Sequence, residues 1–562
     1  MKTILCYVRW GGILCISSLL LYCDTKPPLS SQGLDQNTIT TSEDIVTDEV
    51  WKANQRRVVT RQITISNAIL KIESGVRIHF QRNAGIVVGD SAGLIAVGKD
   101  QAIVFSSDTT NKGEWTHIHF EPGSLADSCR LINCVFEYGG GDANQPAIIV
   151  CDNSSPLIQG CIIRKSGTNG VLLRGDCRGI EFFNNSISQC SGAPVVTYAT
   201  NVHFIGRNSY ADNTENQIKI MNNAISHNDS WQEQPIPYFL TSGLEVRQAG
   251  LTILPGAQLN FAESTALTVS DNGSVKADAT AAPITFSGSS GKDWLGIQFY
   301  SSANHTDSKM IRCTIENRGQ GDIAANITLK NSAPLIQDCT IRGSAGYGIY
   351  AEGDVSVANV INNQFSQNNS GAISIPARQI SHLKLQRFGG DETNFIEVRG
   401  GNLDGYIETS TRLVNYRVPY KIISHIKISA ATLTIDPGSL IQMTPKSGFE
   451  ILAGGGFYAD GSSSIITITG EIARHGYWDY ILFSANANPV HCVLKYCQIR
   501  YGGGDGNLPG MIYCDNVSPI ITNCFIEYSQ SYGIFLKGSA RINDINTNSF
   551  YQNLFGDYIS AP

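Results

Sequence analysis

A phrase of alternating apolar residues returns at nearly constant spacing along the chain and restricts the fold more than any other feature. Cys134-Val135-Phe136-Glu137 is followed after 27 residues by Cys161-Ile162-Ile163-Arg164, and after 24 more by Asn185-Ser186-Ile187-Ser188. Alternation with a period of two indicates a strand with one buried face. Because a unit of ~25 residues cannot bury that face alone, it must stack on its neighbours as a coil of a solenoid.

The same block occurs three times in the sequence. Its markers keep their order in each copy: Cys134, Cys161 and Asn185; Cys313, Cys339 and Asn363; Cys497, Cys524 and Asn548. We therefore predict an all-β, parallel β-helix built from three tandem copies of about 180 residues, at 45–213, 214–393 and 394–562. At ~22 residues per coil the three copies give about 24 coils, and a rise of ~4.8 Å makes a rod on the order of 115 Å long.

Charged residues that follow the alternating phrase have opposite signs in adjacent coils. They are Glu137 and Arg164, Glu316 and Arg342, and Arg500 and Glu527. Parallel strands in register lie ~4.8 Å apart, so these side chains are lateral neighbours and like charges would repel. We interpret them as ion pairs between coils, each worth ~0.2 to 1 kcal/mol when exposed, rather than as catalytic acids.

The N-terminus is typical of an exported protein. Lys2 and Arg9 precede an apolar stretch at 11–22 that is too short to span a bilayer, which predicts a signal peptide over residues 1–23. Cys23 follows a Leu-Leu-Leu-Tyr sequence that resembles a bacterial lipoprotein box, although Tyr22 stands where a small residue is usual. Residues 24–44 are rich in Pro, Ser, Thr and Gln, which predicts a disordered tether.

Charge and cysteine content narrow the possible partners. A net charge of −7 gives no sign of the basic surface that nucleic-acid binding requires. Beyond the signal region twelve cysteines remain, and we interpret them as small thiols stacked in the core. The alternative is disulfide bonding in an oxidising compartment, above all between Cys134 and Cys161. No Cys-x-x-Cys spacing is present, so we expect no metal and no cofactor.

Three further motifs carry a family resemblance. Leu-Thr-Ile-x-Pro-Gly at Leu251 to Gly256 and at Leu433 to Gly438, and Trp-x-Gly-Ile-x-Phe at Trp294 to Phe299, resemble bacterial right-handed parallel β-helix lipoproteins of the pectate-lyase-like superfamily. The resemblance covers nearly everything after the tether and implies a right-handed helix. It does not imply one activity, because this fold serves lyases, hydrolases, epimerases, adhesins and inert scaffolds.

Candidate ligand-binding residues lie at the corners between strands. Glycine-rich turns end in Asp142, Asp322 and Asp505, where a carboxylate could bind calcium or a sugar hydroxyl, or simply cap the turn. Tyr347 and Tyr532 precede glycines at matched turns and could stack on a sugar. His117 and His119 share one strand face, as zinc ligands would, but no third ligand is evident.

These features favour an exported, lipid-anchored rod that presents a surface for glycans or proteins and has no catalytic residues. We expect it at the outer membrane or cell surface, or in the periplasm, with Cys23 as its anchor. A polysaccharide lyase, hydrolase or epimerase is the alternative, and it requires a groove with two unpaired carboxylates or a carboxylate beside Lys or Arg. A structural spacer is a further alternative.

Overall fold

The computed structural model describes residues 38–53, 55–289, 294–317, 324–353, 359–384, 386–389, 394–401 and 405–562. Within them the chain is all-β, and every sheet is parallel in a solenoid of about 20 turns, as the alternating phrases predict. The prediction of about 24 coils was too high, because long corners raise the average to about 26 residues per turn over residues 38 to 562. At ~4.8 Å per turn the rod is about 96 Å long.

Three sheets form the sides of the N-terminal part, and the strands of each sheet are named in stacking order. Sheet 1 contains Thr38–Thr41, Arg56–Val59, Arg77–Phe80, Ile103–Ser107, Cys134–Glu137, Ile162–Arg164, Ser186–Ser188 and Ser209–Ala211. Sheet 2 contains Gln62–Ile65, Gly85–Val88, Ile118–Phe120, Ala147–Asp152, Asn169–Arg174, Val195–Thr197, Ile218–Ile220, Tyr238–Leu240, Gln258–Phe261, Thr285–Gly288, Thr314–Glu316, Thr340–Arg342, Gln364–Ser366 and Arg387–Phe388. Sheet 3 contains Glu49–Trp51, Ile69–Ile72, Gly93–Val97, Cys129–Ile132, Leu157–Gln159 and Glu181–Phe183.

Four more sheets begin farther along the chain. Sheet 4 contains Ala224–Ile225, Leu244–Arg247, Leu267–Ser270, Ile297–Phe299, Ala325–Lys330, Tyr347–Glu352, Gly371–Pro376, Ile396–Arg399, Tyr420–Ile423, Leu440–Met443, Ile466–Gly470, Cys497–Arg500, Phe525–Glu527 and Ser549–Tyr551. Sheet 5 contains Asp229–Trp231, Gly250–Ile253, Ser274–Asp278, Lys309–Ile311, Leu335–Gln337 and Val360–Ile361. Sheet 6 contains Tyr406–Ile407, His425–Ile428, Gly448–Ile451, Ile481–Phe483, Gly510–Asp515, Tyr532–Lys537 and Gly556–Ala561. Sheet 7 contains Thr411–Leu413, Thr432–Ile435, Gly456–Asp460, Cys492–Lys495 and Ile520–Thr522.

Short 3-10 helices at Ala126–Ser128, Ala199–Phe204, Ala377–His382, Pro489–His491 and Ile545–Thr547 complete the described elements. Two of them replace a strand. The chain visits sheets 3, 1 and 2 in turn until Ala199–Phe204, and then sheets 4, 5 and 2. Ile205, directly after this helix, bridges to Phe182 of sheet 3, and the helix packs against the first strand of sheet 5, so sheet 5 continues the side of sheet 3. Ala377–His382 takes the place of a sheet 5 strand and packs against the first strand of sheet 7, so sheet 7 continues the side of sheet 5, and the chain then visits sheets 4, 6 and 7. We call these two places the first and second junction.

The junctions place sequence-matched strands in different sheets. Cys134–Glu137 lies in sheet 1, Thr314–Glu316 in sheet 2 and Cys497–Arg500 in sheet 4. Sheet 1 ends and sheet 4 begins at the first junction, and sheet 2 ends and sheet 6 begins at the second, while sheets 3, 5 and 7 form one continuous side. The division into three copies stays a prediction from the sequence.

The interior is one continuous apolar stack. Phe136 pairs in register with Ile163, which pairs with Ile187, and all three are fully buried. The buried indole of Trp115 donates to the backbone carbonyl of Glu137, 2.9 Å away on the next coil. Each fully buried large side chain contributes ~1.5 to 3 kcal/mol, so the stack itself is the main source of stability.

Two of the three predicted ion pairs are present. Glu137 pairs with Arg164 at 2.8 Å and Glu316 with Arg342 at 2.7 Å. The third prediction was wrong: Arg500 and Glu527 are register partners, but these two described side chains form no ion pair. Glu527 instead accepts a hydrogen bond from Gln498 on the same face, and the Arg500 guanidinium lies 5.9 Å from the ring centre of Tyr501.

Thiols and amides line the interior beside the apolar residues. All twelve core cysteines are buried free thiols. Burial raises the pKa of the Cys177 thiol to about 11, which keeps it protonated and unreactive. Asn185 accepts from the backbone N–H of Cys161 at 2.9 Å and donates to the carbonyl of Ile158 at 3.0 Å. The amide also donates to Asn208 Oδ1 on the following coil at 3.0 Å, so it ties three successive coils together, as stacked amides are expected to do.

Candidate functional site

The glycine-rich turns are built around buried tryptophans. A Cβ atom at Gly139 would lie 2.6 Å from the Trp115 ring, and one at Gly502 would lie 2.7 Å from the Trp478 ring. Each acidic residue caps its own turn, since Asp142 accepts from the backbone N–H of Asn144 at 2.8 Å and Asp505 from that of Asn507 at 2.7 Å. Packing and capping therefore account for this sequence pattern. Asp322, the third candidate, lies outside the described residues, as does Cys23.

Asp142 faces the predicted histidine pair. Its Oδ2 is 3.9 Å from His117 Nδ1, and the rings of His117 and His119 meet edge to face at 5.5 Å. Burial and, to a smaller extent, the neighbouring His119 lower the pKa of His117 to about 4, and burial lowers the pKa of His119, so both rings are neutral at pH 7. Among the described residues, no group of three or more His, Cys, Asp or Glu side chains could hold a metal ion.

Tyr347 belongs to a hydrogen-bonded network on the outer face of sheet 4. Its hydroxyl donates to Glu397 at 2.6 Å, and Ser374 donates to the same carboxylate at 2.8 Å. Arg399 donates to Ser374 and lies over the ring of Tyr350 at 4.2 Å. Burial and the Glu397 carboxylate raise the pKa of Tyr347. The phenol is thus committed to an internal partner.

The matched Tyr532 lies in a different setting. Its ring contacts Phe535 at 6.2 Å and meets Phe555 edge to face at 5.8 Å between ring centres. The two tyrosines therefore do not form one repeated surface. One orders a polar network, and the other packs in an aromatic group near the last described strand.

A histidine held by two carboxylates lies on the outer face of sheet 6, and it was missed in the sequence. His425 Nε2 donates to Asp479 at 2.8 Å, and Nδ1 lies 3.1 Å from Glu450 Oε1. Tyr480 donates to Glu450 at 3.3 Å. Burial alone lowers the pKa of His425, but the hydrogen bonds and charges of Asp479 and Glu450 outweigh it and raise the pKa to about 9. The cluster joins three coils and holds a protonated imidazole at neutral pH.

A groove across the outer face of sheet 5 has the form of a ligand site. Three cavities of about 340, 480 and 580 Å³ adjoin one another, the first two sharing Thr252 and Lys276 and the last two sharing Leu254 and Pro255. We call this the first groove. It follows the first junction, where the helix Ala199–Phe204 packs against the first strand of sheet 5. Cavities of ~300 to 1,000 Å³ are typical of ligand pockets.

The 340 Å³ cavity of the first groove is lined mainly by amides and hydroxyls. It is formed by Asn228, Gln248, Thr252, Asn272, Ser274 and Asn304, with Gly250 at the floor and with Asp229, Lys276 and Asp307 beside them. Asn228 accepts from the backbone N–H of Gly250 at 2.7 Å, which fixes the corner. The side chains of Gln248, Thr252 and Asn272 make no hydrogen bond to any other described residue. They are available to a ligand rich in hydroxyl groups.

Charges in the first two cavities of the groove are matched within the protein. Lys276 lies 3.6 Å from Asp307, and Lys309 lies 3.8 Å from Asp278. Asp229 is buried, which raises its pKa, and it accepts from the indole of Trp231 at 3.3 Å. Glu233 and Arg207, which line the 580 Å³ cavity, form no ion pair with a described residue, so charge matching favours an uncharged ligand in the first two cavities only.

None of the candidate residues chosen from the sequence lines this groove. The groove lies beside the junction where a 3-10 helix takes the place of a strand, and strand alternation alone does not reveal that substitution. One sequence signal was present: Ala199-Thr-Asn-Val-His-Phe and Ala377-Arg-Gln-Ile-Ser-His stand at matched positions 178 residues apart and lack the strict alternation of the strands around them. Such a shared break could have located both junctions.

Comparison with known proteins does not assign the chain to a family. The sequence matches no known family profile and no curated protein. In the part of the chain that the structure describes, no helix is long and apolar enough to cross a membrane.

Proposed function

We propose that this protein is an exported, lipid-anchored β-helical rod that binds neutral glycans in the first groove. The observation that carries the proposal is the row of connected cavities across sheet 5, lined by amide and hydroxyl side chains that the described residues leave available. Sugar hydroxyls both donate and accept hydrogen bonds, as Asn, Gln, Ser and Thr side chains do. The half-exposed Leu254 and Pro255 in the middle cavity suit the apolar faces of sugar rings.

Internal charge pairing supports a neutral ligand. The cations Lys276 and Lys309 each lie within 4 Å of a carboxylate, so an anionic glycan would have to displace that partner. An uncharged chain gains hydrogen bonds without breaking an ion pair. The proposal therefore predicts stronger binding to neutral than to acidic glycans.

A glycan array with the purified protein tests this proposal. Thr252 points outward at the centre of the first groove, and Thr252→Trp fills it without touching the core. Thr467→Trp is the matched control, since Thr467 also points outward from a strand but lies on sheet 4. We expect binding of neutral glycans to fall in Thr252→Trp and to be unchanged in Thr467→Trp. Equal binding by both variants would exclude the groove as the site.

A polysaccharide hydrolase or lyase is the second candidate. Asp307 beside Lys276 places a carboxylate next to a cation in the groove, as such an enzyme requires, with Asp229 in the same cavity. Asp229, however, does the same structural work as Glu49, which accepts from the indole of Trp51 at 2.9 Å. Release of reducing ends or unsaturated products from a neutral or acidic polysaccharide, abolished by Asp307→Asn, would establish the enzyme in place of the binding protein.

The membrane anchor is tested separately. Cys23→Ser removes the thiol that would carry the lipid, and we expect the protein to move from the membrane fraction to the soluble fraction. Incorporation of a labelled fatty acid into the wild-type protein, and not into the variant, provides the direct measurement. Membrane association that persists in Cys23→Ser would contradict lipidation at this residue.

A further inference from the structure

We propose a second neutral-glycan site at the second junction, in a groove on the outer face of sheet 7. This inference rests on the proposed function of the first groove and extends it to a distinct place. Two cavities of about 400 and 500 Å³ adjoin there through Ser381, which belongs to the 3-10 helix Ala377–His382. We call them together the second groove.

The two grooves have the same construction. Each follows a six-residue 3-10 helix that packs against the first strand of a new sheet. Thr411–Leu413 and Thr432–Ile435 stand 182 residues after Asp229–Trp231 and Gly250–Ile253. The fixing hydrogen bond also recurs: Ser410 accepts from the backbone N–H of Thr432 at 3.0 Å, as Asn228 accepts from that of Gly250. The cavity thus recurs with its supporting contacts.

Hydroxyl groups form the wall of the second groove. Ser381, Ser410, Thr411, Thr432 and Thr434 line its first cavity. Thr411 pairs in register with the fully buried Leu433 and points inward, whereas Thr432 and Thr434 point outward from their strand. The hydroxyls of Thr432 and Thr434 make no hydrogen bond to any other described residue, so they are available to a ligand hydroxyl.

The ligand chemistry matches that of the first groove. Arg412 lines the cavity, but its guanidinium is bonded to the Asp436 carboxylate, so it does not offer a free charge to an anion. Tyr458 follows Thr434 in register on the next coil and is 36 % exposed, at the position that Lys276 holds beside Thr252. An exposed aromatic ring next to a row of hydroxyls suits the apolar face and the hydroxyl edge of a neutral sugar.

Calorimetric titration with cellohexaose and maltohexaose as neutral probes tests the second site. Thr434→Trp fills the second groove, Thr252→Trp fills the first, and Thr467→Trp is the control. We expect a stoichiometry of two per chain in the wild type and the control, one in each groove variant, and none in the double variant. Circular dichroism and the melting temperature show whether each variant keeps its fold.

The outcomes separate the two proposals. A stoichiometry of one that Thr252→Trp abolishes and Thr434→Trp leaves unchanged overturns the second site while the proposed function stands. Binding abolished only by Thr434→Trp supports the second site and overturns the assignment of the first. Absence of binding to both probes, and to the neutral glycans of the array, overturns both.

Discussion

Replacing His425 with Gln should weaken the fold in a pH-dependent way. The protonated imidazole lies between Asp479 at 2.8 Å and Glu450 at 3.1 Å, and Gln keeps a polar side chain there but carries no charge. Gly448 lies beneath the ring and has no side chain, since a Cβ there would be only 3.1 Å from His425 Cε1, so the flexible Gln side chain has room at this position. The substitution therefore isolates the charge.

The expected loss of folding free energy follows from the pKa shift of His425. Raising the pKa of His425 from 6.5 to about 9 corresponds to roughly 3 kcal/mol if taken at face value. Solvent reaches the His425 side chain, which is 20 % exposed, and screens the pair, so we expect about 1 to 2 kcal/mol. Because the folded pKa is the higher one, this stability is complete below pH 6.5 and disappears as the pH rises through 9.

Glu450 sets the lower pH limit of the stabilisation by this cluster. Its pKa is lowered, first by the hydrogen bond from His425, so its contribution is present above its unfolded pKa and is lost as the pH falls. The cluster is therefore strongest between about pH 4.5 and pH 6.5. Thermal unfolding of wild type and His425→Gln at pH 6 and pH 10 measures the effect. We expect a lower melting temperature for the variant at pH 6 and equal values at pH 10.

A gap of the same size at pH 10 would refute this reasoning, since it would mean that packing rather than charge is lost. Equal melting temperatures at pH 6 would also refute it. Glu450→Gln is the matched control, and combining it with His425→Gln should give less than the sum of the two effects because the residues share one interaction.

Three further substitutions or probes test the interior. Asn185→Ala leaves a buried backbone N–H and a buried carbonyl unpaired, and should destabilise the surrounding coils by at least ~2 kcal/mol, seen as faster hydrogen exchange there. Gly139→Ala places a Cβ against Trp115 and should lower the melting temperature, whereas Gly506→Ala, with no atom within 4 Å, should not. Mass-mapped iodoacetamide labelling should modify none of the twelve core thiols until the protein is unfolded, and rapid labelling of the native protein would contradict their burial.

The stack of coils could be predicted from the sequence because short stretches of sequence determine it. A strand whose residues alternate, such as Cys134–Glu137, must bury one face, and a near-constant spacing to the next such strand leaves only a solenoid. Register followed from the same pattern, as the Glu137 and Arg164 pair confirms. The failure at Arg500 has a local cause too: Gln498 offers Glu527 a competing donor, and spacing alone does not rank two partners.

The polar sites could not be predicted from the sequence in the same way. His425, Glu450 and Asp479 are 54 residues apart from first to last, and nothing in their spacing indicates that three coils bring them together. The first groove lies just past the helix Ala199–Phe204, where sheet 1 ends and sheets 4 and 5 begin, and strand alternation does not reveal that change. Turn residues such as Asp142 stood out because glycine-rich sequences are conspicuous, yet a buried tryptophan explains those glycines.

The stacking of the sheets decides how a long ligand can use both grooves. Sheet 7 continues the side of sheet 5 across the helix Ala377–His382, so both grooves open on the same side of the rod. A separation of 182 residues is about seven turns, or ~34 Å along the axis. A polymer that reaches both grooves runs along this side of the rod, and its second contact then benefits from a high effective concentration. We expect a long neutral glucan to bind ~100-fold more tightly than its hexasaccharide, and either Thr252→Trp or Thr434→Trp to remove most of that advantage in a surface-binding assay. If the polymer and the hexasaccharide bind the wild type equally, the two grooves do not act on one chain.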